Sequence, residues 1–158
     1  MKMLYSTNMI DLYMNKKKKG IKYSLFPLIV VIPILVLLII FVKLKTRVLF
    51  IALGAIDLSI FSVIFIYNLL ENIIKSNDLI NHVDSVLNGS KIEIDGVITD
   101  ISKVITLKRN IHIVEVSIKS DTITYKSYFN LDLFNIDFEV DGKIKTTLSN
   151  NFIYEYEV

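Results

Sequence analysis

Residues 23–42, YSLFPLIVVIPILVLLIIFV, run for twenty positions without a charged side chain. As a helix this stretch would be about 30 Å long, the thickness of a bilayer's hydrocarbon core. A second run, VLFIALGAIDLSIFSVIFIYNLL at 48–70, has the same length class and carries Asp57 as its one charged residue. Only KLKTR separates the two. The sequence therefore predicts a tight N-terminal transmembrane hairpin with helices 23–42 and 48–70. Lysines precede the first run, as in a signal peptide, but the run is too long and ends in KLKTR instead of a small-residue cleavage site.

Orientation follows from basic residues near the spans. Lys16, Lys17, Lys18, Lys19 and Lys22 precede the first run, Lys43, Lys45 and Arg47 fill the loop, and Lys75 follows the second. Placing both ends inside keeps most of this charge inside. The expectation is a multi-pass protein of the cell inner membrane with both termini cytoplasmic. Residues 1–22 read as a basic tail, either frayed or forming a short interfacial helix through Met9, Ile10, Tyr13 and Met14.

Within the second run, Ala52, Ala55, Ser59 and Ser62 recur at helical spacing and form a small-residue face suited to close packing on the first helix. Asp57 falls on the other side with Gly54 and Phe61. A carboxylate there costs about 2.5–3.5 kcal/mol to insert, so it is expected to be neutral and bonded, or to mark the face where hairpins assemble. Gly54, Ala55, Asp57, Ser59, Phe61 and Ser62 are the candidate oligomerisation residues, and a homo-oligomer is the implied state.

Residues 71–89 read as a connector, with Leu79, Val83, Val86 and Leu87 at helical spacing and a left-handed cap at Asn88-Gly89. From Ser90 the period becomes two. KIEIDGVITDI, NIHIVEVSIKS, TITYKSYFN, FNIDFEVDG, KIKTTL and FIYEYEV read as six short strands, with a bend at Gly96 and a primed turn at Asp141-Gly142. Turns this short leave no room for crossover helices. Residues 90–158 are therefore expected to be a small antiparallel all-β, barrel-like domain on the cytoplasmic side.

The chemistry-bearing residues are sparse. The chain contains no cysteine, no zinc-protease motif and no glycine-rich phosphate cradle, and its two histidines are far apart in sequence. An enzyme is not expected, and neither a cofactor nor a metal is implied. Residues 83–158 hold eight Lys and Arg against twelve Asp and Glu, which argues against a nucleic-acid polymer as partner. Lys108 and Arg109, in LKRN between two strand patterns, could grip phosphates or simply form a solvated hairpin tip.

A basic tail, two closely spaced apolar helices and a small strand-rich domain together resemble, in element order alone, the two-span membrane β-barrel effectors of cyclic-oligonucleotide-based antiphage signalling. The resemblance spans the chain from Tyr23 to Val158. It implies that the β-domain senses a cyclic dinucleotide or related second messenger, oligomerises, and disrupts the lipid bilayer of the inner membrane. The ligand is then expected among Lys108, Arg109, Lys119, Tyr125, Lys126 and Tyr154, where basic tips meet phosphates and tyrosines stack on bases. The alternative is a non-enzymatic membrane subunit or immunity protein that binds a protein partner.

Overall fold

The computed structural model describes residues 1–41, 47–103, 105–108 and 110–158. The chain divides into a β unit, Met1–Tyr13 with Asp78–Val158, and a helical unit, Met14–Asn77. Its elements are β1 (Lys2–Met3), α1 (Thr7–Phe41), α2 (Arg47–Asn68), a π-helical turn (Leu69–Ile74), α3 (Lys75–Leu87), β2 (Lys91–Ile101), β3 (Thr106–Lys108), β4 (Ile111–Ser120), β5 (Ile123–Asn130), β6 (Lys143–Ser149) and β7 (Phe152–Glu157).

In the β unit the strands form one seven-stranded sheet in the order β1-β7-β5-β4-β2-β6, with β3 on β4 and a further pairing of β7 with β6. β2 is long enough to serve two partners. Lys91–Val97 pair with β6 and Val97–Ile101 with β4, and the exchange happens at Gly96 and Val97. A β-carbon on Gly96 would stand 2.4 Å from the Lys119 carbonyl oxygen, so glycine there permits a close approach of two backbones. β7 touches three strands: β6 and β1 antiparallel, and β5 through the parallel bridge Tyr128↔Phe152.

The hydrophobic core lies between this sheet and α3. Leu79, Val83 and Val86 fall at i, i+4 and i+7 and are buried with Ile94, Ile98, Ile113, Val116, Ile118, Phe129 and Ile144. The amphipathic spacing in residues 71–89 thus belongs to a helix that completes the β unit. The helix ends without the left-handed glycine expected at its C-terminus, since no glycine has a positive φ among the described residues. Gly89 is needed for space: its β-carbon would meet Ser149 Oγ at 2.5 Å.

The expected architecture is corrected at two points. Among the described residues, one helical run, Gly54–Leu87 in mid-chain, is long and apolar enough to cross a membrane. An N-terminal two-helix transmembrane hairpin, and with it the multi-pass inner-membrane placement with both termini cytoplasmic, does not stand. Residues 23–41 are the second half of the 35-residue helix α1, whose first half carries the lysine block. Second, the sheet is mixed and its order is not sequential, so the antiparallel barrel-like domain does not stand either. The resemblance to two-span β-barrel effectors rested on those two features and falls with them.

FNIDFEVDG illustrates why. Its alternation is real, with Phe138 buried against Phe129 and Tyr156 at ring distances of 5.3 and 5.4 Å. Yet residues 134–139 form no strand. β6 pairs with β2 instead of folding back on this segment. At the supposed primed turn only Asp141 has a positive φ, 67°, and its N–H donates to Ile98 O at 2.8 Å. Alternation reports which side chains are buried, and says nothing of whether a partner strand exists.

The N-terminal residues are the larger surprise. Lys2 and Met3 pair with Tyr156 and Glu155, Leu4 N–H donates to Tyr154 O at 3.0 Å, and Leu4 and Tyr5 are buried in the core.

The helical unit has its own polar seam. Asn68 Nδ2 donates to Gly20 O at 2.8 Å and to Ser24 Oγ at 2.7 Å, and Asn72 Nδ2 donates to Asn68 Oδ1 at 2.6 Å. Gly20 fits because a β-carbon would stand 2.8 Å from Asn72 Cβ. The π-helical turn begins directly after Asn68, and such turns recur where a helix is adjusted around a local contact. On α2 the less exposed stripe is Gly54, Phe61, Phe65 and Asn68, while Ala55, Ser59 and Ser62 are exposed. The small-residue face is therefore the outward one, and the serine hydroxyls donate to their own helix, Ser59 to Ala55 O at 2.8 Å and Ser62 to Leu58 O at 2.7 Å. Asp57 lies on α2, and its side chain lies outside the described residues.

Candidate functional site

The residues expected to hold a cyclic nucleotide are dispersed. Lys108 pairs with Ile111 at the start of β4, whereas Lys119 is eight residues along that strand, about 25 Å away at strand rise. The side chain of Lys108 and all of Arg109 lie outside the described residues. Lys119 and Lys126 are exposed on neighbouring strands, and Lys126 Nζ is paired with Glu115 at 2.9 Å. Tyr125 faces the other side of the sheet, opposite Ile118, and packs against the core. Tyr154 is buried within it, stacked on Tyr5 at 6.5 Å with Lys91 Nζ 4.0 Å from its ring. Lys119 and Lys126 thus occupy the face opposite Tyr125, and no phosphate grip and base platform come together among the described residues.

What the fold does gather is a groove between α3 and the sheet, a cavity of about 290 Å³. Asp78, Asn81, His82 and Ser85 line one wall, at i, i+3, i+4 and i+7 on α3. This polar stripe runs alongside the apolar stripe that packs into the core. The other wall is Ile111 and Ile113 at the start of β4, Asn150 in the β6–β7 turn, and Phe152 on β7. Asn150 has φ 50°, a left-handed conformation that asparagine tolerates better than most residues. The turn so formed sets the Asn150 amide against α3, where Nδ2 donates to Ser85 O at 2.7 Å.

His82 sits at the back of the groove. Its Nε2 lies 3.1 Å from the Tyr5 hydroxyl, and its ring meets Phe152 edge-on at 4.4 Å. Burial pushes the Tyr5 phenol well above its ordinary range, so the hydroxyl stays protonated at neutral pH. When Nε2 accepts that proton, Nδ1 carries the ring hydrogen. Asp78 Oδ2 accepts from Asn110 Nδ2 at 2.9 Å, tying the helix to the turn before β4. The sequence placed His82 on a solvated connector. The missing signal was tertiary, because the polar stripe becomes a groove wall only once the apolar stripe is docked.

The chain matches no protein-family model, and no curated protein or solved structure is significantly similar to it. The site must therefore be read from its own chemistry.

Two other clusters compete with the groove. His112 Nδ1 lies 3.1 Å from Asp132 Oδ1, and the His112 backbone N–H donates to Asp132 Oδ2 at 2.7 Å. Asp132 N–H in turn donates to Asn130 Oδ1 at 2.9 Å. These bonds hold the chain as it leaves β5, with Leu131 N–H on His112 O at 2.9 Å, which accounts for the pair as a structural clasp. At the other end of the sheet, Lys2 Nζ lies 2.5 Å from Asp137 Oδ2 and 3.0 Å from the Tyr156 hydroxyl, which donates to Asp137 Oδ1.

The second clasp has a pH signature. The Lys2 ammonium, then the Tyr156 hydroxyl, hold the Asp137 carboxyl below the usual carboxylate range. A depressed folded-state value contributes stability that is present above the unfolded pKa and lost as pH falls through the folded one. The urea midpoint of the β unit should therefore drop as pH is lowered below about 4, and Asp137→Asn should reduce that dependence. Equal acid sensitivity in both proteins would show that the clasp contributes nothing. Lys2 and Asp137 are well exposed, so the effect is expected to be small and sensitive to salt.

Proposed function

We propose that this chain is a membrane-embedded protein whose β unit is a non-catalytic binding domain with its site in the α3 groove. The observation that carries the membrane part is the surface of the helical unit. Large apolar side chains stand exposed along both of its helices: Ile29, Ile32, Leu37 and Ile40 on α1, and Ile51, Ile56, Ile60, Val63 and Ile66 on α2. Only 12% of the most apolar window of the Gly54–Leu87 run is buried, whereas the core helix of a soluble protein would be mostly covered. An apolar surface of this extent needs lipid or protein over it, and the mid-chain run Gly54–Leu87 is long enough for one crossing.

The binding part rests on the groove, whose size lies near the lower end of ligand pockets and whose polar groups converge over an apolar floor.

The test is fractionation of cells expressing the full chain. The protein should remain with membranes after alkaline carbonate washing and be released only by detergent. Release by carbonate would overturn the membrane reading.

A further inference from the structure

The groove contains more acceptors than its own donors use. The Asp78 carboxylate is acceptor-only when ionised, with about four lone-pair sites, and among the described residues one bond, from Asn110, is made to it. The Asn150 amide has committed its Nδ2 to Ser85 O, which leaves Oδ1 as the end for a further partner. Asn81, exposed on the same stripe, makes no hydrogen bond among the described residues. The floor opposite is apolar and ends in the ring of Phe152.

The charge has the same sign. Among the described residues Asp78 is the one carboxylate lining the groove, and residues 83–158 are acidic in excess. An anion would be repelled from such a site, and a cation drawn to it. A compact ammonium would satisfy the carboxylate as a point charge and leave the flat aromatic floor unused. A guanidinium is planar, carries five donors in a fixed fork that matches a carboxylate, and lays its face on an aromatic ring.

We propose that the α3 groove binds a guanidinium group, with Asp78 accepting its fork, Asn150 Oδ1 and Asn81 Oδ1 accepting the remaining N–H groups, and Phe152 beneath its plane. This deepens the binding-domain reading above and rests on it. The group can reach the groove on a small molecule such as free arginine or as an arginine side chain on a partner protein. The chemistry recognised is the same.

The experiment uses the full chain in detergent micelles with labelled asparagine side-chain amides, followed by NMR. The probes are N-acetylarginine amide, an arginine-containing peptide, N-acetylcitrulline amide as the neutral isostere, and inorganic phosphate. Saturable shifts at Asn81 and Asn150 are expected with both arginine probes, with affinity at least about tenfold weaker for citrulline, a difference of about 1.4 kcal/mol. Tighter binding of the peptide than of N-acetylarginine amide would assign the source to a protein partner, and equal binding to a small molecule. Asp78→Asn keeps an oxygen for Asn110, so it should preserve the spectrum of the core while weakening arginine about tenfold. Citrulline binding as well as arginine, or unchanged affinity in Asp78→Asn, would overturn the inference. Phosphate shifting the groove where arginine does not would overturn it too, yet leave the binding domain standing. Silence of the groove toward all four probes would remove both.

Discussion

Replacing Tyr5 by alanine should cost the β unit about 3–5 kcal/mol, roughly a fifth or more of the whole stability of an ordinary small domain. Tyr5 is 1% exposed, the largest of the fully buried side chains. Its ring stands edge-on to His82 at 5.7 Å and to Phe134 at 5.2 Å, and lies parallel to Tyr154. Truncation would leave a cavity lined by three rings and would strip His82 Nε2 of its hydroxyl. Tyr5→Phe keeps the ring and removes only the hydrogen bond, so it should cost about 1–3 kcal/mol, the range for leaving a buried polar group unpaired. Urea unfolding followed by near-ultraviolet circular dichroism measures both. If Tyr5→Ala unfolds at the parent's midpoint, the N-terminal segment is not part of the β unit.

The second large effect is expected at Gly96. Any side chain there meets backbone: Lys119 O at 2.4 Å and Lys119 C at 2.9 Å. A flexible side chain could swing aside, but a strand can yield only by parting from its neighbour. Gly96→Ala should therefore destabilise by at least the 1–3 kcal/mol usual for overpacking. It should also accelerate amide hydrogen exchange at Val97 and Ile98, where β2 passes from β6 to β4. Ordinarily alanine in place of a strand glycine is favourable by roughly 0.5–1 kcal/mol, so the sign alone decides. A stabilised Gly96→Ala would mean that the two strands do not approach as closely as described.

The same two residues show what the sequence could and could not reveal. Gly96 was legible only as an interruption of the alternation: the register shift falls between Ile98 and Asp100, and Gly96 is where β2 passes from β6 to β4, while five of the six strand segments formed where period-two alternation placed them. Tyr5 was not. It follows four residues with no periodicity and precedes a lysine block, so local pattern reads it as a tail. Its burial comes from pairing with a strand some 150 residues away, and no window of sequence contains that information. FNIDFEVDG failed in the opposite sense, since its alternation promised a strand and the neighbours it needed were already engaged. In the groove, Asp78, Asn81, His82 and Ser85 share a stripe that spacing could have found. Asn150 and Phe152 could not have been added to it without knowing that the last turn folds over α3. Lys119 and Lys126 lie on the face opposite Tyr125, because nearness in sequence says little about which face of a sheet a residue occupies.

The pairing of β1 with β7 also sets an order of events during synthesis. Lys2 meets Tyr156, so the first strand made waits for the last. At about 5–20 residues per second, that delay is on the order of ten to thirty seconds. β7 is also the strand that joins β5 to β6 and covers Tyr5 with Tyr154. Late in the wait, once β5 and β6 are made, three strands show unpaired edges, the condition in which edge-to-edge association competes with folding. The nascent chain therefore depends on whatever shields Lys2–Tyr5 until Phe152–Glu157 emerge. Ribosomes stalled a few codons short of β7 would hold a β unit unable to close its fold.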